Sequence, residues 1–325
     1  MTPSERSTES EGLLRPAELA GTWYPGTAAA CDAFFEHALE GRAGEIAEIR
    51  GGLVGAVVPH AGWTYSGQTA FRTLHQLARA QSFDDRVVPD VILIFGGHLG
   101  PRDSARILIE GGWETPYGGV MIQRDIAEDV SMAIEGDPET PDHYYEDNAL
   151  EVLMPMIAKL WPAVPVVTVG VPPTHLAPRT GAEVVDRTLA RGFKHPLAVG
   201  STDLTHYGPN YRFVSHGQGH AALEWVKGTN DRAMIDLMAR LEAHAVVREA
   251  ERSRNACCPG AIAATLAAAR KLGASGGALV EQTTSFDARD ARDARDARDA
   301  RDARGARDAD EVPRSFVGYA GLVFG

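Results

Sequence analysis

Short runs of Val, Ile and Leu alternate along this chain with stretches whose apolar residues recur at helical spacing. Leu53–Val58, Val91–Phe95, Val164–Val169 and Leu197–Val199 read as buried strands. Thr27–Leu39, Gly67–Leu77, Ile126–Ile134, Ala149–Leu160, Ala182–Ala190, Asp231–Met238 and Ala261–Leu272 read as helices. The last of these ends at Gly273, a natural C-cap. Two late strands follow, Gly277–Thr284 and Phe316–Phe324. Parallel strands need long crossovers, and helical crossovers cover both faces of a sheet. The alternation therefore predicts an α/β fold of three layers, α/β/α, with a mainly parallel central sheet.

The length of 325 residues would allow two domains at about 150 residues each, but no Pro/Ser-rich linker divides the chain. A single domain over 13–325 is expected, preceded by a polar tail at 1–12. One segment stands apart. From Asp287 to Asp308 the chain repeats Asp-Ala-Arg, with seven aspartates and seven arginines and no large apolar residue. Such a tract cannot pack a core, so it reads as a low-complexity surface loop between the last two strands, with an interaction arm as the alternative. It is net neutral, so the net charge of −12 belongs to the remainder. An acidic chain is a poor match for nucleic acid or for an anionic membrane surface. The longest apolar runs are strand-sized, far below the roughly 20 residues of a spanning helix, and no basic-then-apolar leader opens the chain. Three cysteines, Cys31, Cys257 and Cys258, cannot make a disulfide framework. A cytoplasmic location is the expectation.

Three polar clusters directly follow buried strands: Val57-Val58-Pro59-His60-Ala61-Gly62, Ile94-Phe95-Gly96-Gly97-His98-Leu99-Gly100 and Gly200-Ser201-Thr202-Asp203-Leu204-Thr205-His206-Tyr207-Gly208. In a parallel sheet the carboxyl ends of the strands share one edge, where ligand sites form. Neutral imidazole is a common metal ligand, and a carboxylate or thiolate can complete the set. Two histidines with one anionic ligand leave positions open for substrate, which suits non-haem Fe(II); zinc also accepts His, His and Cys. Cys257 precedes the Ala-rich helix, where the helix N-terminus favours thiolate. Cys31 lies on the apolar face of a helix and is assigned to the core. His75, His143, His175, His195, His216 and His220 have no comparable context.

At these residues the sequence resembles the Memo family, whose bacterial and archaeal members carry the label AmmeMemoRadiSam system protein B. The segments that carry the resemblance are Leu19-Ala20-Gly21-Thr22-Trp23-Tyr24-Pro25, Pro59-His60-Ala61-Gly62-Trp63-Thr64-Tyr65-Ser66-Gly67, Ser201-Thr202-Asp203-Leu204-Thr205-His206-Tyr207-Gly208 and Phe316-Val317-Gly318-Tyr319-Ala320-Gly321. That family is similar in fold to class III (LigB-like) extradiol dioxygenases, which open catechol rings with O₂ at an Fe(II) held by two His and a Glu. The resemblance implies a metal site of His60, His98 and Cys257, with Cys in place of the dioxygenase Glu. Alignment backwards from Ile262 selects Cys257; a one-residue shift would select Cys258, which stands where relatives usually have Gly. The metal implied is Fe(II), with Cu or Zn as alternatives.

His206 is expected as acid/base or substrate ligand, Asp203 as the group that orients it or a metal-bound water, and Trp63, Tyr65 and Tyr207 as the walls for an aromatic small-molecule substrate. The family label implies a radical SAM enzyme and an Ammecr-type protein as partners. Two other functions remain open: a non-catalytic module that binds a peptide or partner in the same cleft, and a zinc hydrolase. There are two departures from the family pattern. Many relatives carry Glu-His-Ser-(Ile/Leu)-Glu where this chain has Glu146-Asp147-Asn148-Ala149-Leu150-Glu151, so Asp147 is read as standing in the His position. Relatives often have Ser or Asn before the second metal His, where this chain has Gly97.

Overall fold

A computed structural model describes residues 13–40, 52–80, 88–288 and 312–325. The expected tail at 1–12 and positions 289–308 of the Asp-Ala-Arg tract lie outside the described residues.

The strands in chain order are β1 (Leu14–Arg15), β2 (Gly55–Val58), β3 (Val91–Gly96), β4 (Arg106–Leu108), β5 (Gly112–Thr115), β6 (Gly118–Met121), β7 (Asp137–Glu139), β8 (Val166–Gly170), β9 (Pro196–Ser201), β10 (His206–Tyr207), β11 (Gly277–Thr284) and β12 (Phe316–Phe324). The helices are α1 (Ala28–Leu39), α2 (Gln68–Ala80), α3 (Arg124–Ala133), α4 (Asn148–Glu151), α5 (Met154–Leu160), α6 (Ala177–Ala190), α7 (His220–Trp225), α8 (Asp231–Ala239), α9 (Ala243–Ser253) and α10 (Pro259–Lys271). Among the described residues, nine strands form one sheet in the order β10-β12-β2-β9-β3-β8-β4-β7, with β11 on the other edge of β12. β1, β5 and β6 make a separate small sheet.

The centre of the large sheet, β2-β9-β3-β8, is parallel as the alternation predicts. Its flanks are not: β12 runs antiparallel to β2, β10 and β11, and β4 runs antiparallel to β8. Side-chain direction shows the three layers. Val57 is in register with Gly200, whose open face meets Thr265 of α10. Leu322 is in register with Val57, so the adjacent Gly321 points the opposite way, and it meets Thr73 of α2. Helices α10 and α2 therefore cover opposite faces. β3 is buried at every position, which explains its continuous apolar run.

Two departures from periodicity have local causes. The single helix expected over Ala149–Leu160 is two, α4 and α5, because Pro155 lacks an N–H and its ring would meet the carbonyl of Glu151. Helix α2 begins only after a π-helical turn, Trp63–Gly67, which directs neighbouring aromatic residues to opposite sides.

Helix α10 carries Cys257 to the sheet edge, and it does so by backbone contact. A Cβ on Gly260 would lie 2.3 Å from the Val171 carbonyl oxygen, which has no room to retreat. Gly260→Ala is expected to destabilise the fold by about 1–3 kcal/mol through overpacking, read as a lower urea midpoint at unchanged slope.

Candidate metal centre

Strands β2, β9 and β3 lie side by side and end together, so the residues just beyond them meet. His60, two residues past β2, is buried, with 1% of its surface exposed. Its N–H donates to Asp203 Oδ1 at 2.8 Å, and its carbonyl accepts from Asn148 Nδ2 at 3.0 Å. Its Nδ1 lies 2.9 Å from Ser201 Oγ. The Ser201 hydroxyl has one proton, and it donates that proton to the Ala149 carbonyl. Nδ1 must therefore be the donor to Ser201. Nε2 then faces Cys257 Sγ, 3.2 Å away, with its lone pair available to a metal.

His98 is oriented by a different device with the same result. Gly97 has φ +96°, a conformation that favours glycine, and the chain turns there against Gly170. The His98 N–H donates to Asp147 Oδ2 at 2.7 Å, and its Nδ1 lies 3.2 Å from Asp147 Oδ1. Asp147 is itself fixed as the N-cap of α4, accepting from Ala149 N at 2.7 Å. The Asp147 hydrogen bond, followed by that of Cys257, pushes His98 up to about 10. Burial alone would raise the Asp147 carboxyl, but hydrogen bonds and charge from His98 outweigh it and hold it near 2. The two imidazole rings meet edge to face, 4.8 Å between centroids.

The third donor comes from the other side of the chain. Cys257 N donates to the Asp203 carbonyl at 3.1 Å, and Asp203 N donates back to Cys257 Sγ at 3.1 Å. Burial disfavours a thiolate, yet hydrogen bonding with Cys258, the charge of His60 and hydrogen bonds from His206 and His60 hold the Cys257 thiol well below the usual range. Cys258 moves the opposite way: burial and the neighbouring Cys257 push it well above. Donor atoms of His60, His98, Cys257 and Cys258 all lie within 4.8 Å of one another. Both Nδ1 atoms are occupied by their own partners and a thiolate faces them, so the set fits a first-row divalent metal.

Asp203 and His206 stand beside this cluster. Asp203 is 5% exposed, with Oδ2 3.9 Å from His206 Nε2, and burial raises its carboxyl. The His206 ring stands edge-on to Tyr211 at 4.9 Å. A cavity of about 520 Å³ opens onto His60, His98, Asp203 and His206. Its aromatic walls are Trp23, Tyr65, Tyr211 and Tyr319.

Trp63 and Tyr207, expected at these walls, are elsewhere. Trp63 is 2% exposed, packs against Phe34 and Phe35, and donates its indole N–H to the Val152 carbonyl at 2.9 Å. Tyr207 is fully buried against Phe316 and donates its hydroxyl to Gly217 O. The physical reason is alternation: in β10, His206 faces the cavity and the next residue must point away. The turn around 63–67 likewise separates buried Trp63 from Tyr65, which is 44% exposed.

Sequence reasoning also missed a buried network behind the site. Asp231 accepts from Thr205 N at 3.0 Å and from Thr205 Oγ1, and burial pushes its carboxyl up to about 7. Asn230 donates to Thr205 Oγ1, and Asn255 donates to the Asn230 carbonyl. This ties the loop bearing His206 to the segment bearing Cys257. Asn255 sits two residues before Cys257, but its type and position alone do not reveal that partner.

A family described as Memo-like protein matches residues 15–296 of this chain. The chain belongs to the Memo-like family. It is 28% identical over 291 residues to a MEMO1 family protein of Pyrococcus abyssi, covering 85% of this chain and 94% of that one. A MEMO1 family protein of Nitrosopumilus maritimus is 26% identical over 285 residues, at 85% and 94% coverage. A solved structure of an uncharacterized protein from Escherichia coli K12 superposes with a TM-score of 0.45 at 11% identity, covering 82% of this chain and 99% of that one.

In this Memo-like protein the segment before α5 needs a corrected register. Counted back from Glu151, the pattern Glu-His-Ser-(Ile/Leu)-Glu puts Asp147 at its first Glu and Asn148, not Asp147, at its His. Asn148 lines the cavity and Asp147 turns away to hold His98, while Glu151 is buried and accepts from Leu19 N at 2.7 Å and Tyr24 Oη at 3.0 Å.

Two predictions follow from how the histidines are held. Ser201→Ala removes the acceptor for His60 Nδ1 and is expected to weaken metal affinity about 10–100-fold, measured by competition with a chelating dye. In the metal-free protein, the raised His98 value stabilises the fold below about pH 6.5, and that contribution is lost as pH rises through about 10. The depressed Asp147 value contributes above the ordinary carboxyl range and is lost as pH falls through about 2. Asp147→Asn should flatten the alkaline loss of stability and bring the His98 titration, followed by NMR, down toward 6.5.

Proposed function

We propose that this Memo-like protein is a non-haem iron-dependent oxidoreductase acting on a small, uncharged, ring-bearing substrate. The observation that carries the reading is the cluster of His60, His98 and Cys257 donor atoms, with Cys257 Sγ 3.2 Å from His60 Nε2, beside a 520 Å³ cavity that His60, His98, Asp203 and His206 line. His60, His98 and Cys257 would hold the metal. Two His and one anionic donor leave positions for substrate, the pattern of Fe(II) oxygenases, and the bound ion would supply redox chemistry and Lewis acidity.

The chain's own residues do the rest. His206 takes or gives a proton at Nε2, with Asp203 Oδ2 3.9 Å away. Trp23, Tyr65 and Tyr211 offer ring faces to orient the substrate. Asn148 supplies a neutral amide where many relatives have a histidine, so the proton traffic rests on His206.

The peptide-binding alternative gains little support. No lysine or arginine lines the cavity among the described residues, which disfavours a phosphopeptide. No helix among the described residues is long and apolar enough to cross a membrane. Cys31, Cys257 and Cys258 are free thiols, in keeping with a reducing, cytoplasmic setting. Partnership with a radical SAM enzyme and an Ammecr-type protein belongs to this proposal on the family resemblance alone.

Anaerobic purification followed by metal analysis tests the reading. Iron is expected in the parent protein and is expected to be lost in His60→Ala and His98→Ala. His206→Ala should keep its iron and lose substrate-dependent O₂ uptake. Full iron retention in both ligand variants would overturn the assignment, and retained zinc without O₂ uptake would move it to a hydrolase.

A further inference from the structure

The three-donor reading leaves out a fourth group. Cys258 is 2% exposed, adjacent in sequence to Cys257, and its Sγ lies 3.8 Å from Cys257 Sγ. Two distances help decide what this pair is built for. A disulfide would require about 2.05 Å. Two sulfurs bound to one tetrahedral metal, at about 2.3 Å each, stand about 3.8 Å apart. The observed separation excludes the first and matches the second, and in the metal-free protein it is spanned by the hydrogen bond between the two sulfurs. The sulfur–nitrogen edge, with bonds of about 2.3 and 2.0–2.1 Å, comes to about 3.5 Å, and Cys257 Sγ to His60 Nε2 is 3.2 Å. All four donor atoms fall inside 4.8 Å, so one ion can reach each with small side-chain adjustments.

The position of Cys258 is not accidental to the chain path. It caps α10, and its N–H donates to Thr202 Oγ1 at 3.2 Å, in the same loop that grips Cys257 through Asp203. The Cys257 sulfur and the Cys258 backbone are thus both tied to one edge.

We propose that Cys258 is a fourth metal ligand, which makes the resting centre of this chain a closed tetrahedral His₂Cys₂ site. The inference rests on the metal reading above and specifies its coordination. A closed sphere of this composition binds zinc, cobalt(II) or iron(II) without a coordinated water at rest. Access of a substrate to the ion then depends on release of one donor.

Cobalt(II) added alone to metal-free protein under anaerobic conditions provides the test. X-ray absorption at the cobalt edge should count two sulfur and two nitrogen neighbours in the parent protein. The thiolate-to-cobalt absorption band should fall to about half in Cys258→Ala, as one thiolate replaces two. Bound cobalt with one sulfur neighbour in the parent protein overturns the proposal and leaves the three-ligand site standing. Absence of cobalt binding overturns the metal reading itself. The parent measurement decides the matter even if the variant does not fold.

Discussion

Three consecutive residues at the end of the middle strand hold the candidate site together. Ser201 receives His60 Nδ1 and passes its own proton to Ala149. Thr202 accepts from the N–H of Cys258, and Asp203 binds the His60 N–H with its carboxylate while exchanging backbone and thiol hydrogen bonds with Cys257. Because β9 lies between β2 and β3, this segment can touch both flanking loops and the N-terminus of α10 at once. A buried donor or acceptor left unpaired costs about 1–3 kcal/mol, so each of these contacts resists displacement. The candidate site is therefore held in place by the protein's own hydrogen bonds.

That rigidity has a chemical purpose. A histidine can bind metal through either nitrogen, and an unrestrained ring offers both. Here one ring is locked by a serine with a committed proton and the other by an N-capping aspartate. The two mechanisms differ in charge. Ser201 is neutral and leaves His60 governed by the thiolate and Asp203, whereas Asp147 forms an ion pair with His98 and favours its protonated form. In the metal-free protein a bound proton occupies the electrostatic role that a cation would take, so metal uptake is coupled to proton release.

The second layer, Asp231 with Thr205, Asn230 and Asn255, extends the same logic away from the cavity. A buried carboxyl raised to about 7 is a costly group to keep. Its position between the His206 loop and the Cys257 segment accounts for its presence as a brace between two parts of the site that are remote in sequence.

Much of this was legible in the residues. Period and apolar runs located β3, β8, β9, β11 and β12 to within two residues; for β3, β8 and β9 the reason is that buried strands in a parallel core need continuous Val, Ile and Leu. The short strands β4 to β7 and β10 were not legible, since two to four residues carry no measurable period. His60 and His98 could be named because polar residues directly after buried strands have few other reasons to be there, and Cys257 from its place before the Ala-rich helix together with the family resemblance. Trp63 and Tyr207 were misplaced because residue type does not tell which side of a turn or strand a ring will take. Asp147 was noticed for the wrong role, since its neighbour across space is 49 positions away.

The sequence by itself determined the layer architecture, the family and the candidate donors His60, His98 and Cys257, all of which depend on local pattern and residue chemistry. Only the tertiary structure decided the tautomer of His60, the partner of His98, the opposite directions in which the Cys257 and Cys258 thiols are pushed and the residues that face the cavity. Those are set by the register of β2, β9 and β3 and by the docking of α10 on their ends, and register is a relation between strands that no single stretch of chain contains.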